Sequence, residues 1–286
     1  MEAAVNIGFD ILSLSSILVL VALGLGIIAS MMGIFNFAHG ELVLLGAYTV
    51  YRFQEWGWPT WLGMLAAPFV VGAIGLVLER LVIRRFYGTP IVAMLGTYAI
   101  GLAMREAVRG LIGGQYWAVK APLIGSFTLG QVSLSKWRLA ILIVTAVVMV
   151  ASYLLLIHTR LGLQVRAALG NPALARASGL STNRIYTFTF MYGAALAGLA
   201  GGLMVPIFSL FADLGVSFLI KSFLAVMLGG LGSFEGAIAG AGLIGFNSAT
   251  LPWVMRPVFA DVLVILIAVA IVKFKPAGLL ARGRSS

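Results

Sequence analysis

The chain has 286 residues, of which 61% are hydrophobic and 10% are charged, and its formal net charge is +10. Soluble globular domains are about 45–50% apolar and about 25% charged, so this composition indicates an integral membrane protein. The basic residues lie between apolar runs, which favours membrane topology over nucleic-acid binding as the reason for the charge. Cysteine is absent, which excludes disulfides and cysteine-ligated metal sites.

Nine apolar runs are candidates for transmembrane helices. A bilayer core about 30 Å thick requires about 20 helical residues. The regular runs are Ile11–Ser30, Trp61–Ile83, Ile91–Met104, Leu139–Ile157, Ile185–Phe211 and Phe259–Val272, and the Gly-rich runs are Gly33–Tyr51, Phe218–Gly232 and Gly236–Leu251. The sequence predicts an all-α, polytopic transmembrane bundle of about eight or nine helices, with discontinuous Gly-rich helices, as a single domain over residues 1–286. The start, MEAAVNIGFD, lacks the basic segment of a signal peptide, so we expect the first helix to be retained.

The distribution of Lys and Arg predicts the orientation of the chain. These residues concentrate after Trp61–Ile83, in the loop 159–184 and in the C-terminal tail. Because cytoplasmic loops are enriched in Lys and Arg, this pattern predicts a periplasmic N-terminus and a cytoplasmic C-terminus. Five basic residues oppose the assignment, since they would lie in a long outward-facing loop: Arg105, Arg109, Lys120, Lys136 and Arg138.

The segment GIFNFAHGELVLLGAY, Gly33–Tyr48, places Asn36, His39 and Glu41 within an apolar stretch. As one helix, the run from Ile11 to Ala38 would be about 42 Å long, which exceeds the bilayer core and predicts a turn near Gly33. Ionisable groups in hydrocarbon cost about 2.5–3.5 kcal/mol each on insertion scales. Two interpretations stay open. The groups are either a polar lining for a solute path, or they have a structural role, in which they satisfy the backbone of a broken helix or lie at the cytoplasmic boundary of the membrane.

A second Gly-rich segment, LGGLGSFEGAIAGAGLIGF, contains Ser233 and Glu235 and has the same two interpretations. The likeness of the two segments indicates a duplicated unit with broken helices, as in transporters built from repeats. Glycines at four-residue spacing predict close helix packing. They are Gly198, Gly202, Gly232, Gly236 and Gly240.

The loop 159–184 is basic and contains a predicted short helix. Asn171 is a good N-cap, Pro172 suits the first helical position, and Gly179 is a stop after Ala173–Ser178. Such a helix is either a docking element for a cytoplasmic partner or an interfacial helix on anionic membrane lipid. No nucleotide-binding GxxxxGK[ST] loop, no catalytic motif and no His-rich metal cluster occurs, so an ATP-driven activity would require another chain to bind the nucleotide.

Four segments together resemble bacterial branched-chain amino-acid ABC transporter permeases. They are GIFNFAHGELVLLGAY, LERLVIRRFYG, TRLGLQVRAALGNPALARASGLSTNRIYTFTF and FLIKSFLAVMLGGLGSFEGAIAGA. The resemblance implies a non-enzymatic inner-membrane subunit that works with a second, related permease, one or two cytoplasmic ATPases that hold ATP and Mg²⁺, and a periplasmic solute-binding protein. LERLVIRRFYG and KFKPAGLL look at least as close to the related urea and short-amide permeases as to the amino-acid permeases, so urea or short amides are an alternative solute. A stand-alone channel or carrier would leave the loop 159–184 without a function.

The resemblance also assigns candidate residues. It implies that Ala173–Gly179 is the coupling helix that contacts the ATPase, with Ala177 and Gly179 in an Ala-x-Gly form whose usual leading Glu is missing. We expect Arg166, Pro172 and Arg176 to contribute to that contact. The candidates for lining or gating the solute path are Phe35, Asn36, Phe37, His39 and Glu41, followed by Ser233 and Glu235.

Overall fold

Eleven α-helices and one β-hairpin form the described part of the chain, which in this computed structural model comprises residues 2–32, 36–129, 132–230, 234–275 and 278. The helices are α1 (Glu2–Met32), α2 (His39–Glu55), α3 (Thr60–Leu81), α4 (Pro90–Ile112), α5 (Lys136–His158), α6 (Arg160–Gly170), α7 (Pro172–Ala177), α8 (Thr182–Phe208), α9 (Leu214–Gly229), α10 (Phe234–Thr250) and α11 (Pro257–Phe274). The hairpin pairs β1 (Ser126–Leu129) with β2 (Val132–Ser135) in antiparallel register, Ser126 opposite Ser135.

Helix α1 lies at the centre of the bundle. The seven consecutive residues from Ile17 to Leu23 are all buried, so α1 is covered on every side. A helix that is apolar all round is expected in such a position. Helices α5, α8, α9 and α10 pack around it. The predicted all-α, polytopic bundle is therefore confirmed.

The helices differ in length in a way that bears on the predicted discontinuities. Five helical segments in the described residues are long and apolar enough to cross a membrane: Val5–Ser30, Thr60–Leu81, Pro90–Ile112, Lys136–His158 and Thr182–Phe208. Helices α2 and α10 have 17 residues each and α9 has 16. At 1.5 Å per residue these three span about 24–26 Å, which is less than a bilayer core of about 30 Å. These three helices correspond to the three Gly-rich runs of the sequence.

One end of the bundle, the hairpin end, is defined by β1 and β2. Asp10 of α1 pairs there with Arg138 of α5, and the Gln54 side chain donates to the Ala118 carbonyl, with 3.1 Å between nitrogen and oxygen. Backbone hydrogen bonds of 2.8 Å join Trp117 and Leu210. The starts of α1 and α5 and the ends of α2 and α8 therefore meet at this end.

The opposite end, the arginine end, is defined by α6, α7 and a 3₁₀ turn at Ile83–Phe86. Arg84 donates to the Thr187 hydroxyl near the start of α8, over 2.7 Å. The rings of Tyr87 and Tyr186 contact each other with centroids 5.3 Å apart. These contacts hold the α3–α4 connection against α8.

Two sequence-based expectations need correction. The fourth helix does not end at Met104: α4 continues to Ile112, so Arg105 and Arg109 belong to a helix and not to an outward-facing loop. They are accommodated there because each pairs with an acid. The hairpin β1–β2 was not expected, since its Ser- and Thr-containing strands are only four residues long. The turn predicted near Gly33 lies outside the described residues.

Glycine permits close approach of the helices at the predicted positions that the structure describes. A Cβ on Gly240 would lie 2.0 Å from the Ala225 carbonyl oxygen, and one on Gly198 would lie 2.6 Å from the Val71 Cβ. Gly202 faces Val50 and Ala67 at 3.2 and 3.3 Å, and the Gly236 carbonyl contacts Gly229. Small residues let membrane helices pack backbone to backbone in this way. Gly232 lies outside the described residues.

The contact at Gly240 predicts a position-specific loss of stability. In Gly240→Ala, the added methyl meets the α9 backbone, which cannot rotate away, so we expect a cost of about 1–3 kcal/mol from overpacking. The matched control is Gly242→Ala in the same helix, where a Cβ has open space within 4 Å. Thermal unfolding of the purified protein in detergent should show a lower midpoint for Gly240→Ala only. Equal midpoints for both variants would contradict the packing described here.

Candidate functional site

Residues 36–38 form a non-helical turn before α2. The Asn36 side-chain oxygen accepts from the Ala38 backbone N–H at 3.0 Å, and the Asn36 carbonyl accepts from the His39 N–H at 3.2 Å. Asn side chains commonly support such turns because they hydrogen-bond to the backbone two residues on. Asn36 is fully buried. It therefore satisfies backbone groups where the helix is broken, although its Nδ2 has no partner among the described residues.

His39 is fully buried between α1 and α8. Its Nε2 lies 3.1 Å from the Val21 carbonyl oxygen, near the middle of α1. Because a carbonyl only accepts, Nε2 carries the proton in this contact, and Nδ1 has no partner among the described residues. A Cβ on Gly24 would lie 3.1 Å from the His39 ring, so that glycine makes room for the imidazole. His39 thus anchors the start of α2 against α1.

Glu41 forms a buried ion pair with Arg105 of α4. One Glu41 carboxylate oxygen accepts from Arg105 Nε at 2.9 Å and also from Nη2. The Glu41 side chain is fully buried and that of Arg105 is 20% exposed. The other carboxylate oxygen has no partner among the described residues. Hydrogen-bonded pairing is what makes two such charges tolerable in a low-dielectric interior.

The ion pair continues towards the start of α9. Arg109 donates to Asp213 over 2.8 Å, and Asp213 lies 3.9 Å from Arg105. Asp213 immediately precedes α9. Gly40 and Gly215 touch through their backbones, which brings α2 and α9 together beside these charges. The charged groups therefore connect α2, α4 and α9.

One face of α4 contacts the turn and the start of α2. The Phe37 N–H donates to the Thr97 hydroxyl at 3.2 Å. Gly101 contacts Ala38, where an added Cβ would be 3.2 Å from Cα, and Arg105 binds Glu41. Positions spaced by four share one face of a helix. Thr97, Gly101 and Arg105 therefore fix the position of α4 along the turn.

Phe37 differs from its polar neighbours because it is only partly buried. Its ring centroid lies 5.1 Å from that of Phe223 on α9 and 6.5 Å from that of Tyr98 on α4. Tyr98 is exposed. An aromatic group from three separate elements therefore borders the open side of the turn.

The structure does not bring Glu235 to this turn. Glu235 is exposed at the start of α10 and lines a cavity of about 390 Å³ with Met149 and Tyr153 of α5. No residue of the turn lines that cavity among the described residues. Phe35 and Ser233, the other candidates for the path, lie outside the described residues.

The short helix in the loop 159–184 forms where the cap signals predict it. Asn171 Oδ1 accepts from the Leu174 N–H at 3.0 Å, Pro172 is the first residue of α7, and Gly179 has a φ of 82°. Arg166 donates to the carbonyls of Leu156 and Ile157 at the end of α5. It thus braces α6 against α5.

Helix α7 presents an apolar side chain to solvent at the arginine end. Leu174 is 64% exposed, whereas the Ala175 side of the helix is buried against α6 and α8. Arg176 and Ala177 are exposed as well. Leu174 was not among the predicted contact residues, although it lies within the short helix that the sequence predicts over Ala173–Ser178.

Sequence reasoning also missed Arg105 and Thr97 as members of the site. The signal for Arg105 was available, because an Arg directly after an apolar run requires either an end of the span or a partner. Thr97 gives no such signal, since an isolated Thr in a membrane helix commonly bonds to its own backbone.

The burial of the Glu41–Arg105 pair predicts an unequal response to neutralisation. Arg105→Gln leaves the Glu41 carboxylate buried without its countercharge, which costs about 3–5 kcal/mol in the free energy of unfolding. Arg109→Gln is the matched control, because its pair with Asp213 is largely exposed and such pairs contribute at most about 1 kcal/mol. In detergent, the midpoint of thermal unfolding should be well below that of the unaltered protein for Arg105→Gln and close to it for Arg109→Gln.

A double variant separates the ion pair from a general loss of packing. Glu41→Gln combined with Arg105→Gln removes both charges, so its midpoint should lie above that of Arg105→Gln alone. If the double variant is less stable than the single one, the charge pair is not the cause.

Comparison with known proteins relates this arrangement to a transport family. A family described as branched-chain amino acid transport system, permease component, matches residues 7–272. The high-affinity branched-chain amino acid transport system permease protein BraD of Pseudomonas aeruginosa is 29% identical, covering 95% of this chain and 94% of its own. The corresponding protein LivH of Escherichia coli is 26% identical, with 96% and 94% covered.

A probable branched-chain amino acid transport permease protein, LivH of Methanocaldococcus jannaschii, is 30% identical over 93% of this chain and 89% of its own. No solved structure gives a match. The matched range includes the turn before α2 and the residues of α1, α2, α4 and α9 that are described above as contacting it. The chain therefore belongs to the family of permease components of branched-chain amino acid transport systems.

Proposed function

We propose that this chain is a membrane-spanning permease subunit of an ABC importer that carries branched-chain amino acids across the bacterial inner membrane. The observation that carries the proposal is the family match over residues 7–272. Relatives named as branched-chain amino acid permeases also align with this chain over nearly the whole length of both proteins. ATP hydrolysis, with its Mg²⁺, takes place on partner ATPases. The chain contributes the path and no catalytic residue.

The solute path is proposed to pass Phe37 and not the polar side chains beside it. Asn36, His39 and Glu41 are fully buried and bonded to the turn, to α1 and to α4. They hold the element from which Phe37 projects towards Phe223 and Tyr98. Mostly apolar walls with a few positioned polar groups are usual for small-molecule sites. Glu235 and Ser233 are secondary candidates on the start of α10.

The arginine end is proposed to face the cytoplasm. Arg80, Arg84 and Arg85 lie there together with α6 and α7, as the enrichment of basic residues in cytoplasmic loops requires. Two of the basic residues that opposed this orientation, Arg105 and Arg109, are paired with acids inside the protein. This orientation places the N-terminus in the periplasm and the C-terminus in the cytoplasm.

The proposed partners follow from the two ends. A periplasmic solute-binding protein docks at the hairpin end, a second related permease completes the path, and ATPases contact α7. Arg176, Ala177 and Gly179 lie on or beside α7, with Pro172 at its start and Arg166 bracing the preceding helix. The exposed Leu174 adds an apolar contact at its centre.

Transport by the complete complex tests the solute. We expect proteoliposomes that contain this chain, its partner permease, its ATPases and the binding protein to accumulate leucine when ATP is enclosed, and not to accumulate urea. Radiolabelled uptake with and without ATP measures this. Excess valine or isoleucine should compete with leucine, because the three share an aliphatic side chain.

The same vesicles distinguish the alternatives. Uptake of urea without leucine would assign the chain to urea or short-amide transport within the same type of complex. Leucine uptake that needs neither ATP nor an ATPase subunit would instead identify a stand-alone channel or carrier.

Coupling to the ATPase gives a second test. In Leu174→Asp, a carboxylate would be buried in the proposed contact, and central apolar anchors commonly contribute about 2 kcal/mol or more, so co-purification of the ATPase should fall at least about tenfold. Leu123→Asp is the matched control, because Leu123 is 48% exposed in the connection between α4 and β1. Quantitative affinity purification from membranes measures both. Normal ATPase recovery with Leu174→Asp would remove α7 from the interface.

A further inference from the structure

A cavity of about 650 Å³ opens between α3 and α8 at the arginine end, away from the turn and its ion pair. Three arginines border it, Arg80 and Arg84 from the α3 side and Arg184 from α8, together with the polar side chains of Ser181 and Asn183. The proposed solute path does not use this cavity.

One of the arginines is already neutralised. Arg84 donates from Nε and Nη2 to the two carboxylate oxygens of Glu79, each over 3.2 Å. Glu79 is fully buried and also accepts from the hydroxyls of Tyr87 and Thr187, at 3.1 and 2.7 Å. The hydrogen bond with Glu79 raises the pKa of Arg84, which keeps the guanidinium charged. Glu79 thus has its full set of donors and fixes one wall of the cavity.

The other two arginines have no countercharge. Within the described residues, neither Arg80 nor Arg184 forms an ion pair or a side-chain hydrogen bond, and both are exposed. Two uncompensated positive charges therefore border the same cavity. Such a pair attracts an anion that can accept hydrogen bonds from both guanidinium groups.

The start of α8 adds a third source of positive potential. Ser181 precedes this 27-residue helix without a side-chain cap hydrogen bond. The first backbone N–H groups of an α-helix have no acceptor within the helix, and anions bind there for that reason. The first N–H groups of α8 therefore add hydrogen-bond donors for an anion that Arg80 and Arg184 attract.

The remaining wall of the cavity is apolar. Leu76, Phe188 and Met191 line it on the side that leads along the helices towards the middle of the bundle. The neighbouring face of α3 exposes Val77 and Leu81, as a surface in contact with hydrocarbon does. An occupant that matches the whole cavity is anionic at the arginine end and apolar towards the membrane interior.

The position on α8 separates this cavity from the proposed ATPase contact. Arg184, Phe188 and Met191 recur at helical spacing on one face of α8. The side chains of Ile185 and Tyr186, which pack with α6 and α7, lie on the opposite face. Helix α7 therefore does not cover the cavity.

We propose that the cavity binds the phosphate group of an anionic phospholipid, with an acyl chain along Leu76, Phe188 and Met191. Arg80 and Arg184 contact the phosphate, and Asn183 and the start of α8 add hydrogen-bond donors. Basic pockets between membrane helices recognise anionic lipid headgroups by this chemistry. The proposal depends on the charge and shape of the cavity and not on the identity of the transported solute.

Native mass spectrometry of the purified complex in detergent tests the proposal. Titration with phosphatidylglycerol should give a saturable bound lipid, and phosphatidylcholine should bind more weakly, because its headgroup has no net charge. Each basic residue near an anionic membrane surface contributes about 1 kcal/mol, so Arg80→Gln with Arg184→Gln should weaken phosphatidylglycerol binding about 10- to 30-fold. Arg85→Gln is the matched control, since Arg85 is exposed at the same end but does not line the cavity.

Several results would overturn the proposal. Equal binding of the two lipids by the unaltered complex would do so without any variant, and so would equal loss of binding in the double variant and in Arg85→Gln. Inorganic phosphate that displaces the lipid at similar concentration would identify a soluble anion as the ligand. A double variant that retains the lipid but loses the ATPase would identify a protein contact instead.

Discussion

The ion pair between Glu41 and Arg105 is the interaction on which the position of α4 depends. Helix α4 buries few side chains and exposes Ile91, Leu95, Tyr98 and Leu102, so apolar packing alone holds it weakly. Two charges taken from water are costly unless they are paired, and here one Glu41 carboxylate oxygen accepts from Arg105 Nε at 2.9 Å. Arg109 of α4 also pairs with Asp213 at the start of α9. The position of α4 therefore determines how α2, α4 and α9 lie relative to one another.

The rest of the bundle is held by a different kind of contact. Around α1, helices approach at glycines so closely that carbonyl oxygens occupy the space of a side chain, as at Gly201, where a Cβ would lie 1.9 Å from the Val43 oxygen. Such packing maximises dispersion contacts in a solvent that offers no hydrophobic drive between helices. The bundle therefore combines a tightly packed centre with a peripheral helix anchored by polar groups, and the turn before α2 lies where the two meet.

How much of this arrangement could be predicted depended on whether the cause was local. The cap signals of α7, Asn171, Pro172 and Gly179, act within ten residues and predicted that helix correctly. The role of His39 could not be predicted, because its partner is the Val21 carbonyl, a backbone group that leaves no trace in sequence. The sequence predicts a loop at Arg105 because the apolar run ends at Met104, and its partner Glu41 is 64 residues away. Composition identifies a costly charge, but the fold alone supplies its partner.

The difference between buried polar groups and accessible aromatic rings near the turn affects which solute suits the proposed path. Asn36, His39 and Glu41 are buried, and each forms a hydrogen bond within the protein through one of its polar atoms: Asn36 with the backbone of the turn, His39 with α1 and Glu41 with α4. On the proposed path, a solute contacts the rings of Phe37, Phe223 and Tyr98, which lie close together. Urea gains little from an aromatic wall, since it buries no apolar surface there, whereas each methylene of an aliphatic side chain contributes about 0.8 kcal/mol on transfer from water. Asn36, His39 and Glu41 therefore support the proposed path without lining it, and the aromatic surface of that path favours a branched-chain amino acid over urea.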